Sequence, residues 1–197
     1  MTVAWRRLEL SGFGRFESET VVEFQRGVNV LVAPNESGKS TLAAGVAAVS
    51  FGLPATSTAD EFGQGRWRNW HNPARFEGAL EFVAHGRTYR IRRRFADHAV
   101  TVSEQVDGGW RDIVTGTHNP NARRPNVAYD SFLAETIGVV SRDLFMTTFS
   151  FAQPLPQARE LDENVQRLIS GAGAGQFADA LQALAQRGRS VTTLTKA

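Results

Sequence analysis

Fourteen residues constrain this chain more than all the others: Val28-Asn29-Val30-Leu31-Val32, then Ala33-Pro34-Asn35-Glu36-Ser37-Gly38-Lys39-Ser40-Thr41. An apolar run, a small-residue loop ending in Gly-Lys-Ser-Thr and a helix-like stretch over 42–51 follow in the order strand, phosphate loop, helix. Backbone N–H groups of such a loop turn inward as an anion nest, and the positive end of the next helix adds to their field. In that arrangement Lys39 reaches the β- and γ-phosphates of a nucleoside triphosphate and the Ser40 hydroxyl ligates Mg2+. Gly38 gives the backbone room to approach phosphate oxygens. The usual pattern opens with glycine, but here Ala33 holds that position and forgoes easy access to positive φ. Of the cationic side chains twenty are Arg and two are Lys, and one of the two is Lys39. A lysine in that company indicates that a compact point charge is wanted. The bland alternative is a Gly/Ser-rich turn entering an ordinary helix.

A chain of 197 residues buries one substantial core, with room for a small second lobe. It has no cysteine, which excludes a disulfide framework and a Cys-based zinc site. Trp5, Arg6, Arg7 and Glu9 interrupt the N-terminus, unlike a signal peptide. No apolar run approaches the roughly 20 residues that span a bilayer. No membrane partner and a cytoplasmic location are therefore expected. Net charge is only +2, yet residues 66–124 hold eleven arginines against six acidic residues, which points to a polyanion-facing surface.

The remaining pattern predicts strands over 3–10 and 20–24, then a long irregular excursion over 52–73. From residue 79 the period falls to two: strands over 79–84, 87–95 and 99–106, and a hairpin turn at Asp107-Gly108-Gly109 into 110–114. A polar loop follows over 116–126. Helices are predicted over 129–137 and 141–149, with Asp130 and Ser141 as caps, and again over 161–169. Gly171-Ala172-Gly173-Ala174-Gly175 breaks the chain. Phe177, Leu181, Leu184, Val191 and Leu194 then form either the start of a coiled coil or a short amphipathic helix. Three regions result: 1–128, a nucleotide-binding lobe with a β insertion; 129–175, a helical segment; and 176–197, the final seam.

These surroundings resemble the N-terminal half of an ABC-type ATPase head of the SMC-like DNA-repair group, which includes SbcC and the YhaN-like ATPases. The resemblance is carried by Leu8-Glu9-Leu10-Ser11-Gly12-Phe13-Gly14-Arg15-Phe16, by Val21-Val22-Glu23-Phe24, by Gly27 to Leu42, and by Thr88-Tyr89-Arg90-Ile91-Arg92-Arg93-Arg94-Phe95. It is tight over residues 1–52, looser to about 110, and beyond that rests on element order. It implies an α/β P-loop fold: a mixed sheet around the phosphate-loop helix, an antiparallel β layer and a C-terminal helical segment. It implies ATP and Mg2+ as cofactors, with Pro34, Asn35, Glu36, Ser37, Gly38, Lys39, Ser40 and Thr41 around the phosphates. Arg15 stands where a family arginine touches the nucleotide; the alternative is a solvated turn arginine. Gln153, in Phe151-Ala152-Gln153, sits where the family places a glutamine that contacts Mg2+ and the attacking water, although Pro154 follows where glycine is frequent. In the excursion, Arg66, Arg68 and Trp70 occupy the region of base or ribose contacts, with Trp70 suited to stacking and Arg68 to the triphosphate; the alternative is a mobile loop that folds over the core.

Arg90, Arg92 and Arg94 share one face of their strand. They form either a stripe for a DNA backbone or a solvated face paired with carboxylates such as Glu81 and Glu104. After Gln153 there is no apolar strand ending in Asp-Glu and no Leu-Ser-Gly-Gly run. In the resembled family both lie beyond a coiled coil, in a C-terminal half. The expected partners are therefore that missing half or a second subunit, double-stranded DNA, a nuclease, and a second copy in the full-length protein. A small P-loop kinase or transferase, or a non-catalytic nucleotide-gated module, are the competing readings.

Overall fold

The computed structural model of the chain describes residues 3–56, 62–72 and 74–148. Residues 1–142 make one compact unit and residues 143–197 another. Six strands form one sheet: β1 (Val3–Ser11), β2 (Thr20–Glu23), β3 (Glu77–Ala84), β4 (Arg87–Arg94), β5 (Ala99–Val106) and β6 (Gly109–Thr117). Their order is β2-β1-β3-β4-β5-β6, and every pairing is antiparallel. The helices are α1 (Lys39–Phe51), the single turn α2 (Gln64–Trp67), α3 (Val127–Thr136) and α4 (Arg142–Thr148).

Period-two alternation makes β3, β4 and β5, and two-residue turns fix the register of β3 with β4 and of β5 with β6. Asp107 and Gly108 both have positive φ, 50° and 78°, as a type I′ hairpin requires. His85 and Gly86 do the same between β3 and β4, at 51° and 75°. One face of the sheet carries Leu8, Leu10, Leu80, Phe82, Tyr89, Ile91, Val100 and Val102 inward. Against it lie Ala44, Ala47, Ala48 and Phe51 of α1, and Tyr129, Phe132 and Leu133 of α3.

Three expectations are corrected. The sheet is not mixed with a separate β layer: among the described residues it is single and antiparallel. Short turns can join only antiparallel neighbours, and no described parallel strand enters. Residues 28–32, expected as the strand feeding the phosphate loop, pair with no described strand. Val28 and Val32 are each 90% exposed and Val30 is 77% exposed. An apolar run becomes a buried strand only where another element covers it. Finally, α3 begins at Val127 and its cap is Asn126, whose Oδ1 accepts from Tyr129 N at 3.1 Å, rather than Asp130. Asp130 lies in the first turn instead, where a carboxylate suits the helix dipole.

Arg93, on the inner face of β4, is buried. Its guanidinium donates to Val49 O at 2.9 Å, Ser50 O at 3.4 Å and His118 O at 3.0 Å, and lies 5.1 Å from the Tyr129 ring centroid. The Tyr129 hydroxyl donates to Ser50 O at 2.6 Å. The last carbonyls of α1, unpaired within the helix, are thus held by a cation at the negative end of its dipole. His118 Nδ1 lies 3.3 Å from Arg93, and its Nε2 lies 3.4 Å from Asp130. Burial first, then the charges of Arg93 and His98, push the His118 imidazole down to about 4.

An unfolded imidazole titrates near 6.5, so below that pH the unfolded chain takes up a proton that the folded chain refuses. Stability is therefore full above about pH 6.5 and falls as pH drops toward 4. Burial raises the Asp130 carboxyl, which acts in the opposite sense and offsets part of the loss. Urea melts at pH 7 and pH 4.5 are expected to differ by about 1–2 kcal/mol at this site. His118→Asn should reduce the slope over that interval, leaving the share of His98, which burial and Arg93 also push down; an unchanged slope would contradict the assignment.

Candidate functional site: the phosphate loop and its cleft

The loop at residues 33–38 turns directly into α1, whose N-cap is Gly38 at φ +101°. A Cβ at Gly38 would meet the Phe16 ring 2.7 Å away, in a backbone region that L side chains rarely adopt, so glycine is required here. No side chain caps α1, which leaves first-turn N–H groups for an outside acceptor. Lys39 Nζ donates to Ala33 O and Pro34 O, both at 2.7 Å, folding the ammonium back over its own loop. Glu36 takes positive φ, 64°, within the same curve. Ser37 Oγ is buried with no hydrogen-bond partner among the described residues.

Next to the loop, the turn after β1 carries Gly14 against the first turn of α1, where a Cβ would lie 2.7 Å from Thr41 Cγ2. Two chain segments complete the walls. The cleft is about 750 Å3 and is lined by Gly14, Arg15 and Glu17, by Asn35, Glu36, Gly38, Lys39, Ser40 and Thr41, and by Asn69, Trp70 and His71. Arg15 and the loop residues expected to bind nucleotide thus meet in one place. Pro34 and Ser37 belong to the loop without lining the cleft. Arg68 does not line it either: its guanidinium lies 5.9 Å from the Phe76 ring, beside an adjoining pocket. Arg66 lies over the Trp67 ring. Gln153 lies outside the described residues.

Asn69, His71 and Glu17 were not legible as site residues. The only hint is the Asn-rich composition of Asn69-Trp70-His71-Asn72, since asparagine pins irregular backbone through its amide.

The donor set fits a magnesium–triphosphate pair rather than a lone metal. Among the described residues no three His, Asp or Glu side chains are grouped to hold an ion. The Ser40 hydroxyl, at the open start of α1, would supply one oxygen and the phosphates others.

On the outer face of the sheet Arg90, Arg92 and Arg94 point away from the core. Arg90 is paired with Glu81 and lies 4.1 Å from the Trp110 ring centroid. Arg92 reaches Asp112 at 3.5 Å, and Arg94 is paired with Asp97. Glu104 serves Arg87 and Arg111 instead. Among the described residues no helix is long and apolar enough to cross a membrane.

A family model described as an AAA domain matches residues 7–186. A DNA double-strand break repair Rad50 ATPase of Methanopyrus kandleri is 28% identical over 138 residues, which is 66% of this chain and 14% of that protein. The chain thus covers a small part of its relative's length. Both findings bear out the likeness to the N-terminal region of an SMC-like, SbcC-type DNA-repair ATPase head. With its phosphate loop inside a match that runs over most of its length, the chain belongs to the AAA domain family.

Proposed function

We propose that this chain is the ATP-binding N-terminal half of an SMC/SbcC-like ATPase head serving DNA repair or chromosome maintenance in the cytoplasm. One observation carries the reading: an uncapped helix start, a lone lysine and Arg15 converge on a single open cleft. Incoming phosphates would draw Lys39 away from the Ala33 and Pro34 carbonyls and bind the first-turn N–H groups of α1. Arg15, whose Cδ would lie 3.8 Å from a Cβ placed on Gly38, would add positive charge beside the loop, and Ser40 would hold Mg2+. Mg2+ held there would supply positive charge for cleavage of the terminal phosphoanhydride, with Lys39 and Arg15 adding theirs. Gln153 would orient the attacking water.

The exposed run over 28–32 supports a half-head. Such a strand is stable in water only when covered on its edges and faces, and the remaining half of the head, or a second subunit, would supply that cover. Two such heads would sandwich the nucleotides, coupling ATP to engagement, to DNA and to a nuclease partner. The six-stranded antiparallel sheet favours this reading over a small P-loop kinase, which needs no strands like β3 to β6.

Turnover of the 197-residue chain tests the proposal. Hydrolysis is expected to be negligible, below about 0.01 per second, against roughly 1–100 per second for complete phosphoryl-transfer sites. Robust turnover by the chain alone would show that no second half is required.

Because each arginine of the outer stripe already faces a carboxylate, we read that face as a solvated ion-pair lattice rather than a DNA groove. The triple change Arg90→Ala, Arg92→Ala and Arg94→Ala should alter the salt slope of any DNA binding by less than one unit. Three phosphate contacts would alter it by about 2.7. Fluorescence anisotropy with duplex DNA over a salt series decides between them.

A further inference from the structure

Asn69 lies between α2 and β3 and is buried, although its two chain neighbours in the cleft wall are not. Its amide is used at both ends. Nδ2 donates to Gly14 O at 2.7 Å, while Oδ1 accepts from His71 N at 2.8 Å and Asn72 N at 3.0 Å. Its own N–H donates to Gly12 O at 3.0 Å. Asn72 adds a bond from Nδ2 to Glu17 O at 2.7 Å. Beneath this, Phe13 stacks on Trp67 with centroids 5.4 Å apart and planes 7° from parallel. Two segments 55 residues apart in sequence are therefore stitched together, with Asn69 as the central stitch.

Each segment carries something into the cleft. The turn after β1 brings Arg15, and the excursion brings Trp70 and His71. Trp70 is 88% exposed, an unusual position for an indole. It also lines an adjoining pocket of about 540 Å3 with Ala55, Thr56, Gln64, Gly65 and Arg68. The indole thus forms a wall shared by the phosphate end of the cleft and a second cavity beyond it.

We infer that Asn69 is a positioning residue for the nucleoside end of the bound nucleotide. By fixing Gly14 and the His71 backbone at once, it sets Trp70 relative to Arg15 and the phosphate loop. A purine attached to phosphates on Lys39 then meets an aromatic face. The inference rests on the ATP-binding reading and adds to it a separation of labour: the loop holds the polyphosphate, and the Asn69 clip holds the base. An amide suits the clip because one side chain must donate to a carbonyl and accept from two N–H groups at the same time.

The test compares Mg-ATP with Mg-tripolyphosphate, which lacks base and ribose, by calorimetry on the 197-residue chain. Asn69→Ala is expected to weaken ATP about tenfold while changing tripolyphosphate by less than about twofold. Trp70→Ala, at an exposed position that leaves the core intact, should show the same ATP-selective loss. If Asn69→Ala does not fold, Asn69→Asp takes its place; it keeps the bonds to His71 and Asn72 but loses the donor to Gly14. Equal losses for both ligands, or no loss for either, would overturn the inference. Failure of the unchanged protein to bind tripolyphosphate would instead count against the phosphate loop itself.

Discussion

Lys39→Ala is expected to weaken Mg-ATP binding by about 100-fold or more while leaving the melting temperature nearly unchanged. Both halves of that expectation follow from where the ammonium sits. It is near the surface of the loop, bonded, among the described residues, only to Ala33 O and Pro34 O. Those carbonyls return to water when it is removed, so the folded state loses well under about 1 kcal/mol. Against a polyphosphate the balance reverses, because charge-assisted hydrogen bonds contribute about 1.5–3 kcal/mol each and the β- and γ-oxygens offer two. Loss of about 3 kcal/mol is roughly 100-fold in Kd. Lys39→Arg should recover little, since a planar fork cannot fold into a curve that holds a point charge. A filter-binding or fluorescent-nucleotide titration of the three proteins gives the ratio. Equal affinities would mean that nucleotide, if it binds, does so elsewhere.

The largest stability effect is expected at Arg93. Arg93→Leu keeps most of the volume but removes the donors to Val49 O, His118 O and Ser50 O. Ser50 O retains the Tyr129 hydroxyl, so two buried carbonyls are left without partners. Each costs about 1–3 kcal/mol, and the C-terminal end of α1 also loses its compensating charge. A loss of about 3–5 kcal/mol follows, roughly 10 °C in Tm for a unit of this size. Arg93→Lys should recover only part, because one ammonium cannot satisfy three separated carbonyls. Circular dichroism melts measure both. A change of less than about 1 kcal/mol for Arg93→Leu would mean that the α1 terminus is held by something else. Because the other end of α1 borders the proposed phosphate site, Arg93→Leu should also weaken nucleotide, but only in proportion to the unfolded fraction.

Local rules made much of this molecule readable. The alternation of Arg90, Ile91, Arg92 and Arg94 marked both the strand and the face its arginines share, while the burial of Arg93 appears only in the structure. Asp107-Gly108 marked the hairpin, whereas α1, expected from 42, begins three residues earlier at Lys39, directly after Gly38. What failed to show in sequence depends on partners distant along the chain. The apolar run at 28–32 states that something should cover it without stating what. The single antiparallel sheet follows from β1 pairing with β3, some seventy residues away, which no periodicity encodes. Asp130 and Asn126 are both competent caps, and only backbone geometry chose Asn126. Asn69 was hidden for the same reason: an asparagine in an irregular stretch looks like any loop residue until Gly14 O is found in front of it. Arg68 illustrates the converse, since its residue type suited a triphosphate while the chain path turns it toward Phe76.

Isothermal titration of the 197-residue chain with Mg-ATP tests the central claim most directly. The cleft formed by the phosphate loop, Arg15 and the start of α1 predicts saturable binding of one nucleotide per chain. A titration that shows only heat of dilution, from a protein that circular dichroism finds folded, would contradict it.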